Sequence, residues 1–205
     1  MTASHRPLHL AAIAAAYAGS AALYPDVPEF RPFIAFSLPT AAAAIYAMFE
    51  LLWRRDFVRA QDPRCEAVYA AILLRILVFL LALHVIVLGG LLALQRDGHQ
   101  VLVVLGRAVP VLLGIVLVSI GNLLPRLRPN LVIGIRTPRT LDDLGAWQRT
   151  NRTAGYVMVA VGLVFVLAGL VLPLGPWTGG AVGVALLIAF AIIAAQTWTS
   201  CQSSD

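Results

Sequence analysis

The stretch Ala67–Leu94, AVYAAILLRILVFLLALHVIVLGGLLAL, interrupts its apolar run with only two ionisable residues, Arg75 and His84. A helix needs about 20 apolar residues to cross roughly 30 Å of hydrocarbon, and this stretch exceeds that length. It is apolar all round and lacks the polar/apolar alternation of a strand in a membrane barrel, so it reads as a transmembrane helix. Five more runs of the same character lie around it: Leu8–Tyr24, Pro32–Trp53, Val101–Leu124, Ala154–Leu174 and Gly179–Trp198. The expected fold is all-α, a polytopic membrane protein built as one six-helix transmembrane bundle. An apolar content of 60%, a charged content of 12% and a mean hydropathy of +0.86 agree, and lie outside the balance of a soluble globular domain. The first run, with His5 and Arg6 before it and the small residues Ala18–Ala22 near its end, also has the form of a secretory signal with a cleavage site.

Arginine placement predicts the orientation, because positive residues in short loops stay on the cytoplasmic side. With the amino terminus inside, the inner segments hold Arg6, Arg54, Arg55, Arg59 and Arg64, and then Arg126, Arg128, Arg136, Arg139, Arg149 and Arg152. The outer loops hold only Arg31 and Arg96. A multi-pass membrane protein with both termini cytoplasmic is therefore expected. The pI near 9.9 then reflects topology and attraction to anionic lipid, and calls for no nucleic-acid partner. Cys65 and Cys201 are far apart and fall near the reducing side, so no disulfide framework is expected. No Cys-x-x-Cys, His-Glu-x-x-His, paired intramembrane carboxylates or phosphate loop is present, so neither a metal, a cofactor nor an enzyme activity is expected.

Two inner segments are longer than turns. Residues 54–66 mix both charge signs around Asp62-Pro63 and read as a solvated loop. Residues 121–155, GNLLPRLRPNLVIGIRTPRTLDDLGAWQRTNRTAG, are richer. Pro125 and Pro129 disfavour helix before them, so the fourth helix should end near Leu124. In Ile133-Gly134-Ile135-Arg136-Thr137-Pro138, two isoleucines flank a glycine that permits close backbone approach, which would set the Arg136 guanidinium against the inner mouth of the bundle. Thr140 with Asp143 fits a capping box, and the acidic first turn with Arg149 and Arg152 in the last suits a helix dipole. A short interfacial helix from about Leu141 to Arg152 is predicted, with Leu141, Leu144 and Trp147 as a narrow apolar stripe on the bilayer surface.

Gly121-Asn122, Pro129-Asn130, Ile133-Gly134-Ile135-Arg136-Thr137-Pro138, Thr140-Leu141, Trp147, Thr150, Arg152 and Gly155 together resemble the signature of the SdpI family of bacterial membrane immunity proteins. The resemblance is strong over residues 117–170 and weak in the first half. It implies a protein of six membrane helices that neutralises a secreted peptide toxin, and that recruits a cytoplasmic transcriptional repressor to the membrane once the toxin is engaged. The implied functional residues are Asn122, Pro129, Asn130, Gly134, Ile135, Arg136, Thr137, Pro138, Trp147 and Arg152. Three positions depart from the family pattern. The first outer loop, Tyr24-Pro25-Asp26-Val27-Pro28-Glu29, keeps only the prolines, Arg139 replaces a usual tryptophan, and Asn151 replaces a usual histidine. A proton-coupled role at position 151 is thereby removed, although asparagine still donates and accepts hydrogen bonds.

The expected division is an amino-terminal membrane region over residues 1–116 and an SdpI-like region over 117–205, joined in one bundle. Arg75 is expected to snorkel to the inner interface or to pair with Glu50, and His84 to bond a neighbouring helix. Gly155, Gly162 and Gly169 recur every seven residues and suit tight packing. A small transporter is the alternative reading, and it would need a polar pathway for which Arg75 and His84 are the available groups.

Overall fold

A computed structural model describes residues 6–23, 32–55, 63–94, 98–130, 132–172 and 176–202. Among these residues seven α-helices follow in order: α1 (Arg6–Leu23), α2 (Pro32–Arg55), α3 (Pro63–Leu94), α4 (Gly98–Gly121), α5 (Pro138–Asp142), α6 (Leu144–Val171) and α7 (Pro176–Gln202). No strand occurs among the described residues. Proline opens α2, α3, α5 and α7, a position where its missing N–H costs nothing and its fixed φ already suits the helix. Among the described residues four stretches are long and apolar enough to cross a membrane, namely Ala35–Arg55, Cys65–Gly90, Val103–Arg126 and Leu144–Val171, and Gly183–Ala195 is a shorter apolar one. The chain is a multi-pass helical membrane protein. The expected outer loop at 24–29, the turn at Asp62 and the turn at Gly175 lie outside the described residues, as do the side chains of Arg64, Arg139, Trp177 and Cys201.

Two helices are longer than a bilayer requires. At about 1.5 Å per residue, the 32 residues of α3 extend about 48 Å and the 28 of α6 about 42 Å, against roughly 30 Å of hydrocarbon. The excess lies at the first turns of α3 and of α6, which pack against the segment between α4 and α6. The separate interfacial helix predicted from Leu141 to Arg152 is corrected here. Residues 138–142 form the five-residue α5, the helix breaks at Asp143, and residues 144–152 are the opening turns of a continuous α6. Asp143 caps α6 by accepting from Gly145 N at 2.7 Å, so the capping box expected from Thr140 to Asp143 does not form.

Helices α4 and α6 form an antiparallel pair with glycines at each crossing step. A Cβ at Gly114 would lie 2.4 Å from the Gly162 carbonyl oxygen, and one at Gly162 would lie 2.7 Å from that of Gly114. Seven residues along each helix, the same exchange occurs between Gly121 and Gly155 at 2.8 and 2.7 Å. In the other direction, a Cβ at Gly169 would approach the Arg107 carbonyl to 2.9 Å. Only residues without a side chain allow backbones this close, and in a bilayer such van der Waals contact replaces the hydrophobic drive that water supplies elsewhere.

The rest of the fold builds outward from this pair. Helix α3 packs on α4, α1 and α2 pack on α3 and on each other, and α7 lies chiefly against α6. Phe49 and Trp53 of α2 enclose Tyr69 of α3, with ring centroids 5.2 and 4.7 Å apart. Glu50 accepts from both Arg6 and Arg54, joining α1 to the end of α2. At the other end, Ser20 of α1 donates to Ala35 O of α2 at 2.7 Å while its oxygen lies 2.9 Å from His84 Nε2 of α3. The single hydroxyl proton is committed to Ala35, so His84 donates to Ser20, and this one bond system fastens three helices. Exposed Leu163, Leu167, Leu170, Leu187 and Phe190 leave α6 and α7 with an apolar outer surface suited to lipid.

Candidate functional site

Between α4 and α6, residues 122–130 and 132–143 form a folded lid held between the protruding ends of α3 and α6. Pro125 stops α4 in a single 3-10 turn, Leu124–Arg126, after which Leu127 is extended. Asn130 is buried, and its Oδ1 accepts from Val132 N and Ile133 N at 2.8 and 2.7 Å while Nδ2 donates to Arg128 O at 2.8 Å. One side chain thus closes the turn that aims Ile133 inward, where it packs against both the Tyr69 cluster and a second cluster of Ile72, Leu123, Leu124, Leu127 and Trp147.

Gly134 follows with φ +116°, a region that L side chains rarely enter. A Cβ there would also lie 2.6 Å from Asn151 Oδ1 and 2.9 Å from Trp147 Cη2. The glycine lets the loop lie against α6. Asn151 Oδ1 then accepts from Ile135 N at 2.9 Å, and its Nδ2 donates to Trp147 O at 3.0 Å. Thr137 and Thr140 close the lid by reciprocal bonds: Thr137 N donates to Thr140 Oγ1 at 2.8 Å, and Thr140 N to Thr137 Oγ1 at 3.2 Å. Gly134→Ala combines an unfavourable φ with a steric overlap and should destabilise the lid by about 1–3 kcal/mol. Amide exchange at Ile135 would register this as faster opening, whereas unchanged exchange would mean the contact is soft.

Trp147 lies at the centre, with 0% exposure, and its Nε1 donates to Leu127 O at 2.8 Å. The surface stripe expected of Leu141, Leu144 and Trp147 is therefore not formed as one face. Leu144 is 64% exposed, Leu141 is partly buried in the second cluster, and Trp147 has been covered by the lid.

The signature residues thus divide by role. Asn130, Gly134, Ile135, Thr137 and Trp147 build the lid, whereas Asn122, Arg136, Pro138 and Arg152 are exposed, and Pro129 is partly buried at the turn. Arg126, Arg128 and Arg149 add to the exposed cations, with Arg149 3.8 Å from Asp143 at the surface. Sequence reasoning left Thr140 and Asn151 outside the functional set, yet both are buried and make several of the lid's bonds. Their signal was the cost of burying a hydroxyl or an amide without partners, which becomes visible only once the burial is known. Arg75 and His84 share α3 but belong to different contacts. Glu50 is taken by Arg6 and Arg54, and Arg75 instead donates from Nε to Ser119 Oγ of α4 at 2.6 Å and from Nη1 to Ala71 O at 2.8 Å. Among the described residues, no group of three or more His, Cys, Asp or Glu side chains converges as metal ligands would.

No curated protein and no solved structure matches the chain. Residues 126–196, from the lid into α7, match the model of the SdpI/YfhL protein family, the family whose signature the segment resembles.

Proposed function

We propose that this protein confers resistance to a membrane-active peptide toxin, acting by binding and without chemistry of its own. The family match over the lid carries this reading, together with a lid that is internally bonded and leaves Arg126, Arg128 and Arg136 exposed. Six helices cross a bacterial cytoplasmic membrane, and both termini and the lid face the cytoplasm, in keeping with the arginine bias. On that side Arg136, Arg152 and their exposed neighbours offer planar, bidentate donors to carboxylates, the chemistry by which a cytoplasmic repressor would be recruited after toxin engagement. The same cations attract anionic lipid headgroups when no protein partner is present.

The test is survival of a toxin-sensitive bacterium expressing this chain, challenged with the family's peptide toxin, beside an equally abundant Arg136→Ala variant. Wild-type protein is expected to protect. The variant, altered only at an exposed side chain, is expected to insert normally and to protect no better than cells lacking the protein. Sensitivity of cells that carry correctly inserted wild-type protein would reject the reading for that toxin.

A further inference from the structure

The geometry points to a binding site for one anionic phospholipid in the groove between α3 and α4, with the phosphate on Arg75 and an acyl chain along the groove. The cavity has a volume of about 400 Å3, and Val78, Phe79, Leu112 and Ile115 give it an almost wholly apolar lining, broken by Arg75 and Ser119. Val78 and Ile115 are half exposed, so the groove opens sideways towards lipid. A charged side chain within such a lining is costly unless an anion balances it. Among the described residues no carboxylate pairs with Arg75. Its Nε and Nη1 are committed to Ser119 and Ala71, and among the described residues Nη2 has no partner.

Depth identifies the anion. The 20 residues from Arg75 to Leu94 extend about 28 Å, close to the hydrocarbon thickness. On the lid side of Arg75, α3 is covered by protein, with Tyr69, Ile72 and Leu73 packed among α2, the lid and the end of α4. Arg75 therefore marks the hydrocarbon boundary on the lid side, level with lipid phosphates, and Ser119 matches it in the last turn of α4. A phosphate oxygen accepts from the uncommitted Nη2, and the chain below it fills the groove. The guanidinium then also links α3 to α4 through Ser119, so occupancy stabilises that helix pair.

Full-length protein in a non-ionic detergent supplies the test, with thermal unfolding followed on addition of long-chain phosphatidylglycerol, phosphatidylcholine with the same chains, or glycerol phosphate without chains. Phosphatidylglycerol is expected to raise Tm by about 5 °C, and the other two by little. Arg75→Met should abolish the difference between the two lipids. Should that variant fail to fold, Ile115→Trp fills the groove from its exposed side with Arg75 and Ser119 intact, and it should also lose the phosphatidylglycerol shift. Equal shifts by both lipids would overturn the site, as would an undiminished shift in Ile115→Trp. A full effect of glycerol phosphate alone would replace it with a free-anion site.

Discussion

Gly114→Ala should separate α4 from α6 and cost at least about 3 kcal/mol, the upper part of the range for overpacking. One added methyl group would stand 2.4 Å from the Gly162 carbonyl oxygen and 2.8 Å from Val166 N, and both obstacles are backbone. No rotamer change relieves such an overlap, so the helices must move apart along their length and lose the neighbouring contacts at Gly121, Gly155 and Gly169 as well. Gly89→Ala is the matched control, since a Cβ at Gly89 meets nothing within 4 Å. It should be neutral or slightly stabilising, because alanine loses less backbone entropy in a helix than glycine does. Unfolding of both purified variants in mixed micelles compares them directly. Equal stability of the two would mean that the helix pair tolerates a wider spacing than its backbone contacts imply.

Trp147→Ala should open the lid while leaving the membrane helices paired. Removing a fully buried tryptophan costs about 3–5 kcal/mol, and here it also strips the Leu127 carbonyl of its donor. Asn130, Thr137 and Thr140 close only local turns, so once that side chain is gone the Ile135–Asn151 bond and the packing of Ile133 are left to hold the segment against α6 and α3. Exposed Arg126 and Arg136 make the opening measurable, because trypsin cuts after arginine and needs a loosened backbone. When opening is faster than cleavage, a loss of this size raises the cutting rate by about two to four orders of magnitude. Trp147→Phe keeps an aromatic ring of smaller size but not the N–H, and should fall between the two. Resistance of Trp147→Ala equal to that of the parent would show that the lid is held elsewhere.

Much of this protein could be read along the chain. Helical runs, proline breaks and the boundaries of the signature segment follow from local chemistry, because a bilayer accepts only backbones that satisfy their own hydrogen bonds. Asn130, Gly134 and Thr137 also act locally, through an Asx turn, a positive φ and a cap, so a motif made of these residues announces a fixed loop before any fold is known. The side chains that join one element to another were less legible. A three-residue spacing of Leu141, Leu144 and Trp147 serves a bilayer surface or a protein core equally well, and only the lid lying over α6 buries Trp147. By sequence Arg75 could reach the inner interface or pair with Glu50; in the fold Arg6 and Arg54 occupy Glu50, and Arg75 bonds Ser119, a partner the sequence did not single out for it.

What the sequence by itself determined is therefore the class of the protein, its apolar helices and the rigid turns of its signature. What the tertiary structure decided is which faces meet protein and which meet lipid. In a membrane helix both kinds of face are apolar, so no periodicity separates them. The separation comes from shape, where Gly114 and Gly121 find Gly162 and Gly155, and from the few polar groups that must find each other across helices.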